Sequence, residues 1–415
     1  MAAGLRELGW RPRQGGRAGV LLVLGLAQWI AWGSTYYLMT VIAKPMAADT
    51  GWHLATVIDG LSLGLVLAGL VSPSVGRMIE RRGARPVLAL GSVLLAMGLV
   101  ALALARSRAV YFGAWAVLGV GMGASLYDAA FAALGWLYGA EARRMIANLT
   151  LIGGLVMTVT WPLSAFLTAT IGWRGACLAY AALHIGVGLP LLLLLPHRPV
   201  IAPDAARPVA AAPPRAARRG GLLIWLVGAN LTLQIGIGSV LAVHLLALLR
   251  GLNLTLAVAV ALGSLMGACQ VGGRLIETLF ARHVHPVWEG VAASALVLLG
   301  FVLLLTGSPP VITLALIVYG LGNGVRTIVK GTLPLVLFGA EGYAALIGRL
   351  GLPTLIAQAA GPALGAVMLA HYGAEPTLRL LAALALVNLA LSYALRLGLP
   401  SARSGALEAT PLAER

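Results

Sequence analysis

The sequence predicts an all-α integral membrane protein of twelve transmembrane helices, arranged as two six-helix, pseudo-symmetric bundles. Three observations carry that reading. Only 10% of the 415 residues are charged and the mean hydropathy is +0.93, whereas soluble domains carry roughly 25% charge. Lipid is therefore the main solvent, and only helix bundles or closed barrels satisfy their backbone there. The apolar runs are continuous and of helix-crossing length, without the period-two alternation of barrel strands. The chain also repeats itself: VGRMIE at 75–80 echoes GGRLIE at 272–277, GVGMG at 119–123 echoes GLGNG at 320–324, and GAE at 139–141 echoes GAE at 339–341.

Apolar windows place the first bundle's helices at 20–43, 54–75, 87–105, 110–137, 146–171 and 175–195. The second bundle follows at 222–248, 256–280, 287–306, 311–337, 345–371 and 376–398. Pro162 and Pro362 fall at matching depths of the fifth and eleventh helices, as the repeat requires. Residues 196–221 are rich in Pro, Ala and Arg and lack an apolar period, so they read as a cytoplasmic tether between the bundles. Its Arg215, Arg218 and Arg219 also suit anionic lipid headgroups. Segments 1–19 and 399–415 read as a cytoplasmic N-terminal stretch and tail. The first is polar and basic, and the apolar run after it is too long for the core of a cleavable signal.

The formal charge of +16 is spread in short clusters between apolar runs, with no basic domain, so nucleic acid is not an expected partner. Lys and Arg gather in the N-terminus and the even-numbered connections, which predicts both termini on the cytoplasmic side of a bacterial inner membrane. Cys177 and Cys269 lie inside apolar stretches at a spacing that suits neither a disulfide framework nor a metal. No Walker loop, HExxH, GxSxG or paired intramembrane aspartate is present, so neither ATP-driven pumping nor enzymatic chemistry is expected, and no cofactor or metal is called for. Parallel repeats with a cytoplasmic linker are a transporter architecture, with the substrate near the midplane where the halves meet.

The segment GRMIERRGARPVL at 76–88 is similar to the loop signature of the major facilitator superfamily, Gly-x-x-x-Asp-Arg-x-Gly-Arg-Arg. Glu80 stands in place of the usual Asp and Ala84 in place of a basic residue. The resemblance implies the major facilitator fold and a cytoplasmic latch: Gly76 for close helix approach, Glu80, Arg81 and Arg85 for charge, and Gly83 completing the signature's spacing. Within the superfamily the chain resembles the oxalate/formate antiporter and monocarboxylate transporter group. Gln270-Val-Gly-Gly-Arg274 matches the Arg that binds substrate there, with Gln270 in place of an Asp; Lys44 does not clearly match the lysine of their first helix, and Gln358 lies where the oxalate carrier has a lysine. Arg274 therefore has two readings, a binding residue or a member of a second latch with Glu277 and Arg282.

Charges inside a membrane are costly, so each marks a function or a fixed pair. Asp128 in the fourth helix, Arg274 in the eighth, and Arg326 with Lys330 in the tenth are the expected set. The resemblance implies that helices one, four, seven and ten line the cavity. Arg326 and Lys330, four residues apart, share a face with Asn323 one turn before. Asp128 is the expected proton-coupling group or resting counter-ion; the alternative is a permanent bridge to Arg326 or Lys330 that only packs helices. Gln28, Trp32 and Tyr36 in helix one, Tyr127 in helix four, and Asn230 and Gln234 in helix seven complete the binding candidates, each equally suited to gluing helices together. More intramembrane cations than acids predict a small organic anion, in particular a carboxylate, as substrate of a monomeric secondary carrier driven by protons or a counter-anion. The alternative is a proton-coupled exporter of drugs or hydrophobic compounds.

Overall fold

The computed structural model describes residues 16–197, 199–200, 214–280 and 284–398, and among them every regular element is helical. Among the described residues, ten stretches are long and apolar enough to cross a bilayer. One of these, 108–192, has 85 residues, which as a single helix would measure about 127 Å against a hydrocarbon core of about 30 Å. It turns back at Gly139 (φ 55°) and at Gly172 (φ 73°), which makes it the fourth, fifth and sixth crossings. Twelve spans result, as expected.

The first span, Arg17–Thr50, breaks at Thr35 (φ −120°, ψ −90°). The fourth breaks at Leu126 (φ −78°, ψ −172°) between the helices Arg108–Ser125 and Tyr127–Tyr138. The fifth opens as Ala142–Gly153, steps at Gly154–Leu155 and resumes at Val156. At the first break Thr35 Oγ1 and Ser34 Oγ both donate to Ala31 O (2.6 and 3.3 Å), the side-chain competition that loosens a helical ladder. Gln28 Nε2 donates to Ser125 O (2.7 Å), the last residue before the second break, so the two discontinuities are tied together. The sixth span contains a π turn, His184–Gly188, with His184 held between Ser34 Oγ (2.9 Å) and Ser92 Oγ (3.1 Å).

Three boundaries differ most from the sequence reading, the first being span one, which runs on to Thr50 and not 43. The second span runs Leu54–Arg82, so the signature residues 76–82 are helix, and the turn comes only at Gly83 (φ 88°). The helix of the seventh span begins at Pro214, taking the end of the expected tether, while its apolar part starts at Gly221, close to the expected 222. Hydropathy marks the edge of the lipid, whereas helix continues through Arg and Ala until a Gly or Pro stops it. The rest of the expected tether from 201 to 213, and the N-terminal segment and tail beyond 16 and 398, lie outside the described residues.

The remaining spans are Ala84–Ala103, Leu256–Phe280, Pro286–Leu304, Pro309–Phe338, Tyr343–Tyr372 and Ala374–Ala394. Spans one to six and spans seven to twelve each enclose apolar cores, and residues of span eleven (Leu355, Ala359) and of spans ten and eleven (Leu335, Tyr343, Ile347) pack into the first six. Between the halves the pairings are two with eleven, four with eleven, five with eight, and five and four with ten. Spans two and eleven approach to backbone distance: a Cβ on Gly348 would stand 2.5 Å from Ser72 O, and one on Gly76 would strike Ala344 O. Both positions need glycine for that reason alone.

Candidate functional site

The site grows from the breaks. Where span five steps at Gly154, the carbonyl of buried Thr150 lies in the last turn of a short helix and accepts from Gly154 N (2.9 Å). Helix ends carry partial negative charge and spare acceptors. Arg274 of span eight reaches across the halves to this carbonyl, with Nη1 donating to Thr150 O (3.0 Å) and Nη2 to Thr327 Oγ1 of span ten (3.4 Å). Its Nε has no hydrogen-bond partner. Gly154 makes room for it, since a Cβ there would stand 2.8 Å from Arg274 Nη1.

Aromatic rings sit beside this guanidinium. Trp32 lies 5.3 Å from Tyr127 and 5.8 Å from both Tyr36 and Tyr37, centroid to centroid. Tyr127 stacks on Phe131 at 5.4 Å, and its hydroxyl rests on Gly153. Tyr127 Oη and Arg274 Nη1 lie over the adjacent Gly153 and Gly154. Trp32, Tyr36, Tyr37, Tyr127 and Arg274 are all half-buried, neither sealed in a core nor facing lipid outright. On span ten, half-buried Asn323, Thr327 and Lys330 form one stripe at i, i+4, i+7.

At the end of that stripe Lys330 Nζ is 2.6 Å from Asp128 Oδ1. Asp128 is buried, and Lys330 is 14% exposed. The pair joins span four to span ten, one half to the other. Arg326 goes elsewhere. Although four residues from Lys330, its side chain is 1% exposed and turns into the second half, where Nη2 reaches Asn388 Oδ1 (3.4 Å). Its Nε and Nη1 have no partner. Asn230 belongs to the same interior group, donating through Nδ2 to Ser392 Oγ (2.7 Å) and Asn388 O (3.1 Å). Gln234, one turn on, is buried.

Gln28 is buried, with its amide committed to Ser125 O and its Oε1 accepting from Trp32 Nε1 (3.1 Å). It orients Trp32 and links the two breaks. Glu80 and Arg81 are exposed at the end of span two and form no ion pair among the described residues. Arg85 hydrogen-bonds His197. Glu277 lies buried beside Arg143 and Glu289; Arg282 lies outside the described residues. The two readings of the eighth span thus divide between two residues, Arg274 at the aromatic group and Glu277 one turn on at the junction of spans five, eight and nine.

Tyr37, Thr327, Arg143 and Glu289 were not singled out from sequence. Tyr37 is adjacent to a candidate, and Thr327 lies four residues from Asn323, so the helical stripe through Asn323 points to it. Arg143 and Glu289 sit at the edges of apolar windows, where charge is ordinary, and no sequence signal separates them from topology residues.

Chemically, a guanidinium with a spare N–H, held by neutral acceptors beside half-buried rings, suits a carboxylate attached to an apolar or aromatic body. The family profile described as Major Facilitator Superfamily matches residues 24–333. Among curated proteins, Monocarboxylate transporter 11 of Mus musculus is 35% identical over 174 residues, covering 41% of this chain and 35% of that protein. Monocarboxylate transporter 6 of Homo sapiens is 28% identical over 160 residues, 38% of this chain and 30% of that protein. The chain thus spans about a third of the length of the curated relatives it matches. The crystal structure of the human organic anion transporter MFSD10 (TETRAN) superposes with a TM-score of 0.70 at 18% identity, covering 92% of this chain and all of that one. The proton:xylose symporter XylE superposes at 0.65 with 12% identity over 91% of this chain and 95% of that one. At these identities the superpositions speak to fold alone.

Proposed function

This chain belongs to the major facilitator superfamily, and we propose that it is a secondary carrier of a small organic anion, in particular a monocarboxylate, working by alternating access. The observation that carries the reading is Arg274: a half-buried cation at the meeting of the halves, bonded only to neutral acceptors and retaining an unpartnered Nε. The substrate carboxylate exchanges for Thr150 O and Thr327 Oγ1 on this guanidinium, and Trp32, Tyr36, Tyr37 and Tyr127 hold its body. The monocarboxylate transporters among its relatives agree with that chemistry.

The Asp128–Lys330 bridge is the switch in this scheme. It closes one end of the cavity by joining spans four and ten, and an anion drawn to Lys330 weakens it. In this scheme both termini lie on the cytoplasmic side of a bacterial inner membrane, and the end where Gly76, Gly348, Tyr343 and this bridge join the halves is the cytoplasmic one. Protons or a counter-anion drive the cycle. The aromatic group favours one other reading, export of an apolar or cationic compound, since rings accept both. A thermal-shift screen of the detergent-purified protein over small monocarboxylates, dicarboxylates, sugars and cationic dyes separates the two. Carboxylates raise Tm in the first case and cationic dyes in the second.

A further inference from the structure

At the closed end, Arg143 opens span five, Glu277 lies in the last turn of span eight, and Glu289 lies in the first turn of span nine. Arg143 Nη2 meets Glu289 Oε1 at 2.6 Å and also donates to Val284 O (2.9 Å). Glu277 and Glu289 are 7% and 6% exposed, and each has one carboxylate oxygen, Oε2, without a hydrogen-bond partner. Glu277 forms no ion pair of its own among the described residues, although the Arg143 charge and the Glu289 carboxylate both reach it. Among the described residues, two buried acids therefore stand against one paired arginine.

The other charged groups around them are engaged or solvated. Arg274, one turn before Glu277, is held on Thr150 O; Arg326 and Lys330 of span ten turn to Asn388 and Asp128. Arg396, in the 3-10 turn after span twelve, covers Tyr393, and Arg144 is exposed. His285 caps span nine by accepting from Val287 N (3.3 Å); burial, and then the Arg143 charge, hold its pKa below the usual value. Arg282 and His283 lie outside the described residues. Two carboxylates sharing a dry site do not both stay ionised against one cation. A proton on one of them turns an unpartnered acceptor into a donor and removes one charge.

We propose that Glu277 and Glu289 together form a proton-binding site, which takes up one proton when the halves close around Arg143. It rests on the reading that this end opens and closes during transport. It also moves the proton away from Asp128, which Lys330 neutralises in this conformation. Proton uptake at the Glu pair then favours the closed end, and opening to water releases it.

The test is infrared spectroscopy of the purified full-length protein at pH 7, where exposed carboxyls are ionised. The wild type is expected to show one un-ionised carboxylic acid band, lost in Glu277→Gln or Glu289→Gln and retained in Asp128→Asn. Elution and helical content of each variant identify those that fold. Should both Gln variants fail to fold, Arg143→Gln serves instead, and the band must persist or strengthen. No band in the wild type, as when a charge from 281–283 balances the pair, overturns the proposal; so does a band lost in Asp128→Asn alone. This readout needs no substrate, so its failure is distinct from failure of the carboxylate screen.

Discussion

Breaking the Asp128–Lys330 bridge has a consequence that can be worked from its geometry. Two unit charges 2.6 Å apart attract by about 6 kcal/mol at an effective dielectric of about 20. Desolvation offsets much of that, so the intact pair adds little over a neutral pair of similar size. Removing one partner is different, because the other stays buried and charged, at a cost of about 3–5 kcal/mol. Asp128→Asn and Lys330→Gln should therefore each destabilise strongly, and the double variant far less than their sum. A double-mutant cycle, measured by chemical unfolding in detergent, should give a coupling energy of at least about 2 kcal/mol, roughly a 30-fold effect on the equilibrium. Additivity within about 0.5 kcal/mol would refute the account of the bridge as a desolvated inter-half contact.

Three other outcomes follow from the same geometry. Gly154→Leu puts side-chain atoms where Arg274 Nη1 now lies, 2.8 Å from the position of a Cβ, and should weaken protection by a bound carboxylate at least tenfold in isothermal titration. Equal affinity would show that Arg274 does not hold the ligand. Arg326→Met removes a buried cation that has two unpartnered N–H groups, and should leave Tm unchanged or raise it, by about 1–4 kcal/mol in stability; a large loss would mean that a counter-charge sits on it. Gly76→Val drives a side chain into Ala344 O, and overpacking of about 1–3 kcal/mol should lower Tm and part spans two and eleven. An unchanged Tm would deny their close crossing.

The twelve crossings are legible because hydropathy reports the lipid directly, and the internal repeat locates their partners. The breaks at Thr35 and Leu126 are not: Thr278, Thr327 and Thr332 make the same i→i−4 bond as Thr35 in unbroken helix, and the Gln28–Ser125 bond arises only in the packed bundle. The charge pair was readable in outline: Asp128 and the cations of span ten were paired from their symmetric positions, and Lys330 proves to be the partner. The direction of Arg326 was not. Residues four apart share a helix face, yet long side chains diverge from it, one toward Asp128 and the other toward Asn388. Gln28 and Asn230 show the same ambiguity, since polar residues in membranes serve equally as ligands and as glue, and their partners here are carbonyls and serines. The Arg143–Glu289 contact joins residues 146 positions apart, beyond the reach of any local pattern.

The claim that this carrier binds a carboxylate through Arg274 is tested most directly by exchange in proteoliposomes. The labelled monocarboxylate that most raises Tm should exchange across vesicles containing the wild type. It should not exchange across vesicles containing Arg274→Gln at equal incorporation. Undiminished exchange by Arg274→Gln, or exchange of organic cations and of no carboxylate by the wild type, would contradict it.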